Sequence, residues 1–306
     1  MIDFRRPRPA RAALVALLAL FLPACAGPSA PPAPVDAPDA RGHGEGRAAY
    51  GSARPLKEAQ GGTRRGTGGQ AGGEAKARRA GLTPVWRHGG RGDEGGKRVA
   101  LTFDADMMAG QHERADAGER FDNPGLIAAL RELKVPATVF MTGTWAARYP
   151  GQARAIGRDP LFEVANHSYS HRAFDTPCYG LPEVEPGTMR AEVERTFAEL
   201  RRAGVPAPVP YFRFPGGCYD DAALRALAPT GVTAVQWDVS SGDAFASDPG
   251  AVAREVLTRV RPGSVVVLHV TRSAAPVTEQ AVREIVPELR RRGYGFARVS
   301  ELMAQR

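Results

Sequence analysis

The sequence predicts an α/β domain built on a parallel sheet, open or closed as a barrel, and three observations carry that prediction. From Lys97 to the C-terminus, short β-branched or apolar runs alternate with amphipathic stretches of helical period. Each interval between apolar runs is long enough for a crossover helix, which parallel neighbours require. Chemically able side chains fall where the strands end, the edge at which parallel α/β folds gather their sites.

The elements follow in order. Arg98 to Phe103 is a short apolar, β-branched run ending in acidic residues. Pro124 to Leu133 places Leu126, Ile127, Leu130 and Leu133 on one helical face, with Asn123 as N-cap. Ala137 to Met141 and Leu161 to Ala165 read as strands. Thr188 to Ala203 is an amphipathic helix with Met189, Val193, Phe197 and Leu200 on one stripe and Gly204 after its end. The alternation continues with strand 211–214, helix 220–227, strand 232–237, helix 249–260, strand 264–269, helix 277–292 and strand 295–299.

The first third of the chain has another texture. Residues 1–96 hold 18 of the 35 glycines and 10 of the 26 prolines, and no apolar periodicity is sustained between Ala26 and Arg91. Such a stretch buries too little apolar surface to offset chain entropy, so residues 26–96 are expected to form a disordered tether and 97–306 the folded domain. Charge divides the same way. The first 95 residues carry 15 Lys/Arg against 8 Asp/Glu, while the remainder is nearly balanced at 26 against 25. The basic isoelectric point therefore belongs to the tether, and a nucleic-acid-binding domain is excluded because the domain lacks the basic excess. The sequence implies no protein partner.

Arg5, Arg6, Arg8 and Arg11 precede the apolar run Ala12 to Leu22, which is too short for a stable membrane span. Basic then apolar residues at this spacing predict export, with residues 1–25 as signal peptide. Leu22-Pro23-Ala24-Cys25 resembles a bacterial lipobox, which would make Cys25 a lipidated N-terminus and anchor the protein to the membrane on its extracytoplasmic side. Without the lipid, the protein would be secreted. Besides Cys25 there are only Cys178 and Cys218. They cannot form a cysteine-based zinc site, but they suit a disulfide in an oxidising compartment. A bridge across that separation is worth roughly 3 to 4 kcal/mol in the chain-entropy model.

The strand ends carry Phe103-Asp104-Ala105-Asp106, His167-Ser168-Tyr169-Ser170-His171, Arg213-Phe214-Pro215-Gly216-Gly217, Trp237 to Asp243, and Leu268-His269. Two imidazoles four residues apart, joined by a carboxylate from another strand, make a two-histidine, one-carboxylate set with room for water and substrate. Singly, each feature has a plainer reading: a surface His pair, a capping aspartate, a charge-neutralising arginine, a histidine bonded to a carbonyl. Five of them at successive strand ends demand more than coincidence.

In that order the motifs T-F-D, H-S-x-x-H, R-x-P-x-G, W-x-x-x-x-x-D and L-H resemble the NodB-like polysaccharide deacetylases, carbohydrate esterase family four. The resemblance implies a distorted, incomplete (β/α) barrel over about residues 97–302. It also implies metal-dependent removal of N-acetyl, or sometimes O-acetyl, groups from a sugar polymer such as peptidoglycan. Carried over residue by residue, it makes Asp104 the general base and Arg213 the holder of that base. His167, His171 and Asp106 become the ligands of one divalent metal, with Zn2+ preferred on ligand type and Co2+ or Ni2+ also fitting. Gly216 supplies the oxyanion N–H, Asp243 orients the catalytic histidine, and His269 is the acid that protonates the leaving group.

Three positions depart from the family pattern. Ala105 stands where a second aspartate is usual, so Asp106 is taken as ligand and the local backbone is expected to differ. Ala244 follows Asp243 where tryptophan is usual, with Phe245 next. Gly216-Gly217 replaces an aromatic-glycine pair. Two other readings accompany the deacetylase: an O-acetyl esterase of the xylan type, and a wall-polymer-binding lipoprotein without turnover.

Overall fold

The computed structural model describes residues 81–90, 96–185 and 187–304. Cys25, the expected signal peptide, and the expected tether over residues 26–80 and 91–95 lie outside the described residues. Among the described residues no helix is long and apolar enough to cross a membrane.

The strands are β1 (Val85–Trp86), β2 (Arg98–Ala105), β3 (Ala137–Met141), β4 (Phe162–Asn166), β5 (Tyr211–Phe212), β6 (Thr233–Val235), β7 (Val239–Ser240), β8 (Val265–His269) and β9 (Gly295–Phe296). They pair in the order β1-β6-β5-β4-β3-β2-β8-β7, with β9 beside β2, and every pairing is parallel. Helices lie between them: α1 (His112–Asp116), α2 (Pro124–Glu132), α3 (Gly143–Arg148), α4 (Pro150–Gly157), α5 (Met189–Arg202), α6 (Asp221–Leu227), α7 (Pro249–Arg259), α8 (Thr278–Arg291) and α9 (Val299–Ala304). This is the curled parallel sheet with an outer helix layer that the sequence implies.

Strand alternation divides the core into two layers. Val99, Leu101, Phe103 and Ala105 of β2 join Val139, Val266 and Leu268 under the helices. Ala100, Phe140, Ala165 and Val265 face the other way and pack with Trp86, Val299 and Leu302 inside the curl. The helices start as their sequences dictate. Asn123 Oδ1 accepts the Leu126 N–H at 3.0 Å ahead of Pro124, and Asp220 Oδ1 accepts the Ala223 N–H at 2.8 Å.

The folded part begins earlier than the sequence suggested. Residues 81–90, assigned above to the tether, are part of the sheet: β1 pairs with β6, Trp86 is 1% exposed, and His88 bridges to Ser264. The Gly89 N–H also donates to the Gly263 carbonyl at 2.8 Å. The segment sits at the barrel's seam. Only residues 236–238 separate β6, paired to β5 and β1, from β7, paired to β8 at the opposite end of the sheet. A two-residue strand between proline and arginine carries no readable period, and its stability comes from the partners on either side.

The last strand is shorter than expected. It stops at Phe296, and α9 begins at Val299 because buried acceptors claim its first N–H groups. Val299 donates to Thr138 Oγ1 at 2.9 Å and Ser300 to Glu163 Oε1 at 3.0 Å.

Candidate active site

Because all strands run in parallel, their carboxyl ends share one edge, and registry decides which side chains meet there. Asp104 on β2 is the lateral partner of His269 on β8. Ala105, Met141, Asn166 and Phe212 share the next level, so His167 and Arg213 follow one residue beyond it. Asp104 lies on the concave side of β2, and Ala105 turns into the helix-side core. Two residues on from Asp104, Asp106 returns toward the site, where it meets His171. An aspartate at position 105 would point into the apolar layer under a regular strand, and β2 stays regular through Ala105. The expected local distortion is small: alternation along β2 sets the side that Asp106 faces, and Thr271, which accepts the Asp106 N–H at 3.2 Å and donates to its carboxylate, holds it there just past the strand end.

Arg213 is fully buried, and its Nη1 donates to Asp104 Oδ1 at 2.7 Å. Its Nε donates to the Val235 carbonyl at 3.2 Å, and its guanidinium stacks 4.0 Å from the Phe140 ring centre. Burial lowers the guanidinium pKa while Asp104 pulls it back up. The second Asp104 oxygen lies 3.6 Å from His167 Nε2. His167 Nδ1 contacts the Arg213 carbonyl at 3.0 Å, which makes Nδ1 the donor and turns Nε2 toward Asp104.

The loop between His167 and His171 is held from α5. Glu192 Oε2 accepts the Tyr169 N–H at 3.0 Å, the Ser170 N–H at 2.9 Å and the Ser170 hydroxyl at 2.9 Å. Asn166 donates to the Val193 carbonyl at 2.9 Å and accepts the Ser168 N–H at 3.0 Å. So braced, the chain turns through positive φ at Ser168 and His171 and brings the two imidazoles within 5.0 Å, edge to face. His171 Nε2 stands 3.7 Å from Asp106 Oδ2, while Thr271 donates to Asp106 Oδ1. Burial pushes the His171 pKa down to about 4 against the pull of Asp106, so the ring is a neutral lone-pair donor. Burial would raise the Asp106 carboxyl, but His171, His269 and the Thr271 hydroxyl together hold it below its usual value.

On the other side, His269 is clamped to Asp243. Nδ1 contacts Asp243 Oδ1 at 2.7 Å, and the His269 backbone N–H donates to Oδ2, also at 2.7 Å. Thr278 donates to Oδ2 at 2.7 Å and Ser241 to Oδ1 at 2.9 Å, so the buried carboxylate is fully occupied. Burial works against a charged imidazole here, yet the Asp243 charge and hydrogen bond outweigh it and push His269 up to about 10. Gly216 lies in the turn after Arg213 at φ 63°, and a Cβ there would stand 2.5 Å from Cys178 Sγ. Only glycine fits that place. Cys178 and Cys218 are disulfide-bonded, which joins the 173–184 loop to this turn.

The structure thus gathers Asp104, Asp106, His167, His171, Arg213, Asp243 and His269 on one edge. The donor chemistry suits a divalent metal: two imidazoles whose Nε2 atoms face carboxylates, and Asp106 with one oxygen toward His171. The approach is pairwise, however, and among the described residues no three such side chains close into a ready-made cage. Sequence reasoning missed Thr271, Thr278 and Glu192, which act through other residues. The signal for Thr271 is its place two residues after His269, on the same side of an extended chain.

The polysaccharide deacetylase family model matches residues 91–235. A chitooligosaccharide deacetylase of Bradyrhizobium sp. (strain ANU 289) is 31% identical over 215 residues, covering 66% of this chain and 90% of that protein. A peptidoglycan-N-acetylglucosamine deacetylase of Bacillus cereus is 26% identical, covering 68% of this chain and 88% of its own. The fold matches a family 4 acetyl xylan esterase from Clostridium thermocellum, solved with a cobalt ion, at TM-score 0.52 and 24% identity, over 67% of this chain and 90% of that one. With the Bradyrhizobium enzyme matched over nine-tenths of its length and the motif residues assembled at one strand edge, the chain belongs to the polysaccharide deacetylases and is a hydrolase.

Proposed function

We propose that the protein removes N-acetyl groups from an N-acetylglucosamine polymer of the cell envelope or its surroundings, releasing acetate. The observation that carries the reading is the lateral pairing of Asp104 with His269, each with its own fixed partner, Arg213 and Asp243. That arrangement sets a base and an acid side by side at one acyl group. Asp104 takes a proton from the attacking water, since Arg213 holds one oxygen and leaves the other open. His269, protonated through neutrality by Asp243, gives a proton to the leaving nitrogen as the C–N bond breaks. The products balance as acetate and a free amine. The Gly216 N–H serves the developing oxyanion.

Asp106, His167 and His171 are the residues to hold a divalent cation, with Zn2+ first on donor type and Co2+ or Ni2+ compatible. Such an ion supplies acidification of water and polarisation of the acetyl carbonyl. The basic start, the apolar run and Cys25 support export and lipid anchoring of the mature chain. The test is to incubate the zinc-supplemented protein with chitin oligomers, peptidoglycan and acetyl-xylan, and to measure acetate. Release from the first two supports the reading. Release from acetyl-xylan alone makes the protein an O-acetyl esterase, and no release from any makes it a binding protein.

A further inference from the structure

Among the described residues only two large hydrophobic side chains are well exposed, Tyr179 and Phe245. Tyr179 is 49% exposed and borders the Gly216 turn: a Cβ on Gly216 would stand 3.1 Å from Tyr179 Cδ2. The ring stands at the tip of a tight turn closed by the Leu181 N–H on the Cys178 carbonyl at 2.8 Å. Both central residues, Tyr179 at φ 48° and Gly180 at φ 73°, have positive φ, the arrangement of a type I′ turn. Asn, Asp or Gly is at ease at the first central position, and a bulky ring is strained there.

The turn does not drift under that strain. Cys178 is bonded to Cys218, Leu181 packs with Cys178 and Ala173, and Ala173 donates to the Pro182 carbonyl at 2.9 Å. Val184 in turn donates to the Ala173 carbonyl at 2.9 Å. An aromatic ring is thus carried, half exposed, on a braced turn beside Gly216, at a backbone position that disfavours it. Neither the packing nor the turn needs that ring. A flat apolar face with a polar tip at the rim of a carbohydrate site is what the apolar face of a pyranose stacks on.

We propose that Tyr179 is a sugar-stacking platform, taking the ring next to the reacting unit, so that the enzyme selects oligomers over single sugars. This rests on the deacetylase reading above and adds a specificity residue to it. The side chain missing at Gly216 is replaced by one delivered from the neighbouring loop through the disulfide.

The test uses Tyr179→Asn, which suits the turn and removes the ring, and Tyr179→Trp, which keeps a ring. Both are placed in the full-length Asp104→Asn chain with zinc, so that bound sugar is not consumed. Calorimetry with the tetramer of N-acetylglucosamine should show roughly 5- to 10-fold weaker binding for Tyr179→Asn and near-parental binding for Tyr179→Trp. Binding of the monomer should be the same in all three. Equal tetramer affinity for Tyr179→Asn and its parent overturns the proposal, as does an equal loss for monomer and tetramer or no tetramer binding by the parent. Acetate release by the unmodified chain is measured separately: ring-dependent binding without release overturns the hydrolytic reading and leaves the platform standing.

Discussion

His171 and His269 lie in one cleft, each facing a carboxylate, yet they are held in opposite protonation states. His171 is 3.7 Å from Asp106 with no hydrogen bond between them, and burial takes its pKa to about 4. His269 shares a 2.7 Å contact with Asp243, whose other oxygen also binds the His269 backbone, and its pKa rises to about 10. Residue type is the same and neighbour type is the same. The contact decides which imidazole offers a lone pair and which offers a proton.

The largest effect should come from removing the lone-pair side. A His167→Ala, His171→Ala double variant should lose bound zinc and reduce acetate release by roughly 1000-fold or more, measured by metal content and product assay together. Full metal occupancy in that variant would sink the ligand assignment. Next, Asp104→Asn should cut turnover by about 100-fold while the metal stays bound. Asp106→Asn should instead release the metal, with partial recovery in excess zinc. The opposite pattern would exchange the two roles.

On the proton-giving side, Asp243→Asn should cost roughly 10- to 100-fold and move the alkaline limb of kcat/KM to lower pH. The sign follows from the clamp: activity needs protonated His269 and falls as pH rises through its pKa, and Asp243 is what holds that pKa near 10. An unmoved limb would assign the alkaline ionisation to another group. The same pair has a stability signature. A raised histidine stabilises fully below its ordinary pKa of 6.5, and the contribution is lost as pH climbs to about 10. The Tm of the parent should therefore fall more steeply than that of Asp243→Asn over that interval. Smallest of all, Thr271→Val should weaken zinc affinity by about 10-fold, because Asp106 loses the hydroxyl that orients it.

How much of this the sequence carried differs by element. Pro124 to Leu133 was legible because an Asn-Pro start and four apolar residues at helical spacing agree, and α2 ends one residue earlier. The strand 137–141 was legible as a continuous apolar run, as buried parallel strands are. Helices α3 and α4 were not seen: each is short, and Gly143 and Pro150 at their starts read as breakers although Thr142 caps the first through the Trp145 N–H at 3.1 Å. The reactive residues were legible because they follow strands. Their supporting residues were not, because Glu192 and Thr278 reach the site from helices whose own pattern reports only the buried stripe. The D-x-D departure looked like an irregularity in sequence; in three dimensions the alternation of β2 carries it to the strand end, and Thr271 fixes Asp106 one residue beyond.

The seam has a consequence of its own for where the enzyme can be cut. Every reactive side chain lies downstream of Lys97, so a fragment starting there would keep the full inventory of motifs and omit a strand of its own sheet. Trp86 would be gone from the interior, the outer edge of β6 would be bare, and the backbone groups of Ala234, Gln236 and Gly263 that bond to residues 84–89 would lose those partners. A fragment that keeps the catalytic inventory and the described sheet together therefore has to start at least about fifteen residues before Lys97.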